Sequence, residues 1–199
     1  VAVDGETSDP ASVLSGVPQG TVLGPLLFLI YINDMPGVVS TGTFVRLFAD
    51  DCLVYRQIQS VEDQNILQRD LLALQLWADR WGMRFNPQKC NIMHINRGRN
   101  TKTRMYNLCN VVLDTVERAK YLGVTMSCDL SWHDHICNVA KKANTSLHFI
   151  SRSLKHCPKS TRSTAYCSLT RSTLEYCASV WDPYQAQHKV MLEKINRHA

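Results

Sequence analysis

Two adjacent aspartates, Asp50 and Asp51, sit between two short β-rich runs, Thr43 to Phe48 and Cys52 to Arg56, and limit this chain's options more than any other feature. Runs of that length separated by Ala49-Asp50-Asp51 spell a hairpin with both carboxylates at its tip, aimed out of the sheet edge. Like charges on one tight turn raise each other's cost of ionisation unless a cation lies between them. A divalent metal removes that cost. Mg²⁺ suits the place because it takes one or two carboxylates and leaves positions for water and phosphate. Ions of this kind, in pairs about 4 Å apart, clamp the attacking and leaving oxygens of phosphoryl transfer. Taken alone, the same two residues also spell an ordinary solvated turn.

The flanking sequence predicts a mixed α+β fold. Val1–Val3 and Asp4-Gly5 spell a strand end and a turn, and Gly24-Pro25 opens a helix whose run Leu26 to Ile32 is apolar all round, so burial on most sides is expected. Ser60 with Asp63 three residues on forms a helix cap, and Ile66, Leu67, Leu71, Leu74, Ala78 and Trp81 recur at helical spacing until Gly82. Met83 to Ile95 is strand-like around the turn Asn86-Pro87, and a short strand pair is expected around Val111–Leu113 and Tyr121–Val124. From His135 the character is helical, with Ile136, Val139, Ala143, Leu147, Ile150 and Leu154 on one face. A second helix is expected over Thr161 to Val180, broken by Trp181-Asp182-Pro183-Tyr184, and a last one before the chain ends.

Charge is unevenly spread. Residues 1–60 hold two basic and six acidic side chains, residues 61–199 hold twenty and eleven, and Arg84 to Arg171 holds fifteen against four. An acidic head and a basic body fit metal chemistry beside a polyanion, and fit equally a solvated basic surface. Eight cysteines form no C-x-x-C pair and follow no secretory signal, which predicts reduced thiols in an intracellular protein, nuclear or cytoplasmic. Cys128, His133, His135 and Cys137 are the nearest thing to a zinc cluster, but their spacing is irregular. The longest apolar run is far short of the ~20 residues that cross a bilayer, so no membrane span is expected. The chain opens at Val1 without an initiator Met, the expectation being a start inside a longer protein.

Several stretches together resemble one family. Ser15-Gly16-Val17-Pro18-Gln19-Gly20-Thr21-Val22-Leu23-Gly24-Pro25-Leu26-Leu27-Phe28, running on to Tyr31-Ile32-Asn33-Asp34, resembles motif B of the reverse transcriptases of non-LTR (jockey/LINE-type) retrotransposons. Phe48-Ala49-Asp50-Asp51 is similar to their motif C, Trp77 to Cys90 to motif D, and Tyr121-Leu122-Gly123-Val124 to motif E, the primer grip. Leu130-Ser131-Trp132, Lys142-Ala143, Leu174-Glu175-Tyr176 and Trp181-Asp182-Pro183-Tyr184 follow the family's thumb region.

The resemblance implies the C-terminal part of a right-hand polymerase palm over residues 1–125 and an all-α, thumb-like nucleic-acid-binding region over 126–199. It implies RNA-directed DNA synthesis from dNTPs on an RNA template and a DNA primer, with a two-ion Mg²⁺ site for which Mn²⁺ can substitute. Asp50 would be the firmer metal ligand, Asp51 the second acid, and Lys89 the motif D lysine near the triphosphate. Gly16, Pro18, Gln19 and Gly20 would meet the incoming nucleotide and template, and Tyr121, Leu122 and Gly123 the primer end. Lys141, Lys142, Arg152, Lys155, Lys159 and Arg162 would hold the duplex through its phosphates. The family's third acid, from motif A, and its basic fingers have no match in this sequence, and are expected upstream in a longer polyprotein. The alternative is a catalytically inactive remnant that binds RNA or DNA without polymerase activity.

Overall fold

A computed structural model of the chain describes residues 2–9, 12, 20–95 and 104–197. It divides into two compact units, one of residues 1–90 with 104–113 and one of 91–103 with 114–199. No helix among the described residues is long and apolar enough to cross a membrane.

The first unit begins with a small hairpin, β1 (Ala2–Val3) and β2 (Glu6–Thr7), turned by Asp4 and Gly5, both at positive φ. Helix α1 (Leu23–Ile32) follows, with the Thr21 hydroxyl accepting from the Gly24 N–H at 3.0 Å. The helix starts two residues before Pro25, which costs nothing because the first-turn N–H groups lack intrahelical partners anyway. Strands β3 (Thr43–Phe48) and β4 (Asp51–Arg56) pair along their full length, and α2 (Val61–Arg80) lies against their inner face. The predicted cap is present in full: Ser60 accepts from the Asp63 N–H, and the Asp63 carboxylate accepts from the Ser60 N–H. Gly82, at φ +67, follows the helix end.

The core of this unit joins Ile32, Met35, Val45, Leu74, Trp77 and Ala78, with Phe28, Leu47, Cys52 and Val54 packed around it. Helix α1 corrects the sequence expectation. Only Gly24 and Ile32 are buried, and with half-buried Phe28 they form a single stripe facing the core. Leu23, Leu26, Leu29 and Ile30 are each more than half exposed, because the described part of the unit offers cover along that stripe alone.

Two further expectations change. Met83 to Ile95 is mostly irregular, since Asn86 caps a 3-10 turn at Pro87–Lys89 and the strand shrinks to Asn91–Ile92, paired in parallel with Asp114–Thr115 in the second unit. The segments at Val111 and Tyr121 do not pair with each other. Each closes its own hairpin through a two-residue turn at positive φ, Cys109-Asn110 in one and Leu122-Gly123 in the other, and such tight turns leave no partner strand free.

The second unit holds the hairpin of β5 (Arg118–Tyr121) and β6 (Val124–Ser127), then α3 (His133–Ser153) and four shorter helices: α4 (Lys159–Ala165), α5 (Ser172–Glu175), α6 (Ala178–Trp181) and α7 (Ala186–Arg197). The helix expected over Thr161 to Val180 is interrupted: α4 passes into α5 through a π-helical stretch, Tyr166–Arg171, and Cys177 at φ +53 separates α5 from α6. The predicted apolar face of α3 is the buried one, with Ile136, Val139, Ala143 and Leu147 meeting Val124, Leu174, Trp181 and Ile195.

His135 is part of that buried face. Its Nδ1 accepts from the Thr125 N–H at 3.1 Å, which puts the proton on Nε2; that nitrogen has no hydrogen-bond partner among the described residues, and the ring stands edge-on to Trp181 at 5.2 Å. Burial, and then the charge of Lys142, hold its pKa below the ordinary 6.5. Below that pH the unfolded chain takes up a proton that the folded ring resists, so stability is retained above about 6.5 and falls as the pH drops. Thermal melting across pH 5 to 8 is expected to show this slope, and His135→Gln, which keeps an acceptor for Thr125, to flatten it. An unchanged slope would show that His135 does not carry the effect.

Candidate active site

Full pairing of β3 with β4, from Thr43 opposite Arg56 to Phe48 opposite Asp51, leaves Ala49-Asp50 as a two-residue turn. Asp50 therefore lies in the turn itself, and Asp51 opens the second strand, where the pleat fixes its direction. Both carboxylates are exposed. Ala49 takes φ +50 at the first turn position, a conformation for which glycine is the usual residue. Alternation sends Val45, Leu47, Cys52 and Val54 inward to the core and places Phe44, Arg46, Phe48, Asp51, Leu53 and Tyr55 on the outer face. There Phe44 and Tyr55 stack at 5.1 Å, with the Arg46 guanidinium 5.8 and 6.0 Å from the two rings.

The far end of the hairpin is clamped. Arg56 donates to the Thr41 carbonyl at 3.0 Å and the Thr43 hydroxyl at 3.2 Å, and pairs with Asp63 at 3.0 Å. The Ser60 hydroxyl, then Arg56, hold the Asp63 carboxyl down at about 2. Gly42 has φ +90, and a Cβ there would meet Arg56 Nη1 at 3.1 Å. Asp70 on α2 is 2% exposed and accepts from the Ser40 N–H (2.9 Å), the Ser40 hydroxyl (2.7 Å) and the Thr43 hydroxyl (2.5 Å). Asp70→Ala strands these donors and is expected to cost about 3 kcal/mol of stability in urea unfolding. A loss below about 0.5 kcal/mol, the scale of a neutral surface change, would show that the network does not anchor the hairpin.

Lys89 ends its 3-10 turn exposed and next to Cys90. Burial first, and Cys90 second, push the thiol of Cys52, the residue after Asp51, up to about 11. Gly20 is exposed in a turn at φ +77; Gly16, Pro18 and Gln19 lie outside the described residues. In the second unit, Tyr121 is half-buried at the end of β5, and Leu122 and Gly123 form the turn at φ +45 and +84. Lys141, Lys142, Arg152, Lys155, Lys159 and Arg162 are all exposed, and none forms an ion pair among the described residues.

Two adjacent carboxylates with open space around them match the oxygen-rich, partly hydrated coordination of Mg²⁺. Among the described residues no group of three or more His, Cys, Asp or Glu side chains is placed to hold a metal ion. Of the four residues considered for zinc, His133 faces His188 and His135 accepts from Thr125.

The family profile described as reverse transcriptase (RNA-dependent DNA polymerase) matches residues 2–126. The chain belongs to the reverse transcriptase family. Among curated proteins, it is similar to the RNA-directed DNA polymerase from mobile element jockey of Drosophila melanogaster, 32% identical over 74% of this chain and 17% of that protein. It is also similar to the probable RNA-directed DNA polymerases from transposon X-element (30%, covering 85% of this chain and 19% of the relative) and transposon BS (33%, 68% and 16%) of the same fly. This reverse transcriptase segment thus spans less than a fifth of the length of these relatives. No solved structure matches it.

Within the family's motifs, the structure gives work to residues that the sequence left without a role. Asp34, at the end of the motif B stretch, accepts from the Trp77 indole N–H at 3.0 Å and ties the exit of α1 to α2. Tyr31 packs edge-on to Trp81 at 5.3 Å and donates to its carbonyl. Asp70 had a readable signal, since it falls on the stripe Ile66, Asp70, Leu74, Ala78 where the helical period calls for an apolar side chain.

Proposed function

We propose that this reverse transcriptase segment supplies the metal-binding hairpin and the duplex-holding helices of an RNA-directed DNA polymerase. The observation that carries the reading is the exposed pair Asp50 and Asp51 at the tip of a hairpin whose inner face is fixed in a core and whose far end is clamped by Arg56 and Asp70. A rigid base under a charged tip is what positional catalysis requires. The reaction is attack of a primer 3′-hydroxyl on the α-phosphate of a dNTP opposite an RNA template, with pyrophosphate leaving.

Asp50 and Asp51 would hold divalent cations, Mg²⁺ by preference, which stabilise charge on the attacking and leaving oxygens when bound. Lys89 would face the triphosphate and hand a proton to the departing pyrophosphate. Gly16, Pro18, Gln19 and Gly20 would lie against the nucleotide and template, with Tyr121, Leu122 and Gly123 at the primer end. The six exposed cations of α3, α4 and the loop between them would grip the template–primer through its phosphates, without reading sequence. In this reading the first unit is palm, the C-terminal helices are thumb, and the third acid and the fingers come from the remainder of a longer polyprotein.

The test is primer extension on an RNA template with dNTPs and Mg²⁺, using the longest natural product that contains this chain. Template-directed dNTP incorporation is the expected result. Incorporation of ribonucleotides alone, or bound duplex with no extension, would overturn the proposal.

A further inference from the structure

We propose that Tyr176 is a positioning residue that sets the conformation of the Leu122-Gly123 turn. The inference rests on the reading of that turn as the support of the primer end.

The turn is backbone-strained at its first position. Tyr121 pairs with Val124, so Leu122 and Gly123 alone reverse the chain, and both take left-handed φ, +45 and +84. Such a turn suits asparagine or glycine at its first central position; a leucine there crowds its own Cβ against the backbone and persists only where the surroundings hold it.

Tyr176 holds it from two directions. Its hydroxyl donates to the Leu122 carbonyl at 3.0 Å, and its ring covers the Gly123 α-carbon closely enough that a Cβ would stand 2.9 Å from Cε1 and 3.5 Å from Cζ and Oη. Gly123 is thus required twice over, by its φ and by the ring above it.

The tyrosine is itself fixed through its backbone. Its N–H donates to the Ser172 carbonyl at 3.1 Å, and its carbonyl accepts from the indole of Trp181 at 2.8 Å. Trp181 is 1% exposed and belongs to the core of the unit. Cys177, at φ +53, breaks the helix directly after Tyr176 and frees the chain to bring Trp181 back beneath it. A path of two hydrogen bonds therefore runs from a buried tryptophan to the carbonyl of a strained surface turn. Tyr176 is 54% exposed, so core packing does not account for an aromatic residue at this point, whereas the reach and donor of a phenol do.

Tyr176→Phe keeps the ring and removes the donor, and is measured in two ways. Amide hydrogen exchange across residues 122–124 of this chain is expected to rise about tenfold with the melting temperature unchanged. In the longest natural product containing the chain, the extension rate is expected to fall roughly tenfold while dNTP KM and template–primer Kd stay within about twofold, as for a misplaced but still bound primer end. Unchanged exchange overturns the proposal, as does a loss of extension that merely tracks a lower melting temperature. Faster exchange with normal extension also overturns the positioning role. In that case Gly123→Val, which forces the turn apart, identifies the cause: normal extension there means that the turn does not support the primer at all.

Discussion

Asp50→Asn is expected to lower RNA-templated dNTP incorporation by roughly 10³-fold or more, the scale of losing a charge-stabilising group from a transition state. Template–primer affinity should stay within about twofold, since the cations assigned to the duplex lie on other elements. The substitution is nearly isosteric, and asparagine accepts the turn position. Because Asp50 is exposed, the melting temperature should not move. The decisive comparison is the rate of single-nucleotide addition at saturating duplex, with Mn²⁺ replacing Mg²⁺ as a further arm. Retained addition in both metals would refute the assignment of Asp50 as a metal ligand.

Replacing Lys141, Lys142, Arg152, Lys155, Lys159 and Arg162 together with glutamine should have an effect of similar size on binding. Six phosphate contacts give a slope of about −5 in log K against log salt, hence a roughly 10³-fold loss of affinity between 50 and 200 mM salt. The variant should lose most of that dependence and bind at low salt about as weakly as the parent does at high salt. All six side chains are exposed and make no ion pairs among the described residues, so the fold should be unaffected. Fluorescence anisotropy over a salt series reads the slope directly, and an unaltered slope would place the duplex elsewhere.

What the sequence revealed and concealed follows from the range of the forces involved. The capping box at Ser60, the apolar face of α3 and the hairpin at Asp50 were legible because each is written in neighbouring residues. The solvent-facing side of α1 was not, because an all-apolar helix does not say how much of its surface will meet a partner. The separate hairpins at Val111 and Leu122 turned on residues at positive φ, and a leucine is a poor advertisement for a left-handed turn. The π-helical stretch at Tyr166–Arg171 has no local signature that separates it from an ordinary helix. Within the site, Asp50, Asp51 and Lys89 came from motif order. The supports, Asp70 beneath the hairpin and Asp34 on Trp77, are contacts over 27 to 43 residues: the apolar stripe of α2 marks Asp70 as out of place but does not name its partners, and no local pattern records Asp34 on Trp77.

The left-handed Ala49 also has a bearing on attempts to engineer this chain. A glycine at that position would relieve about 1 kcal/mol of crowding, so selection for heat resistance or expression yield would favour it. On the proposed assignment of Asp50 and Asp51, the same change would loosen the tip that aims them, and a library ranked by thermal tolerance would fill with sturdier proteins whose chemistry had slipped out of alignment. Directed evolution of this segment therefore calls for scoring turnover alongside durability from the first round.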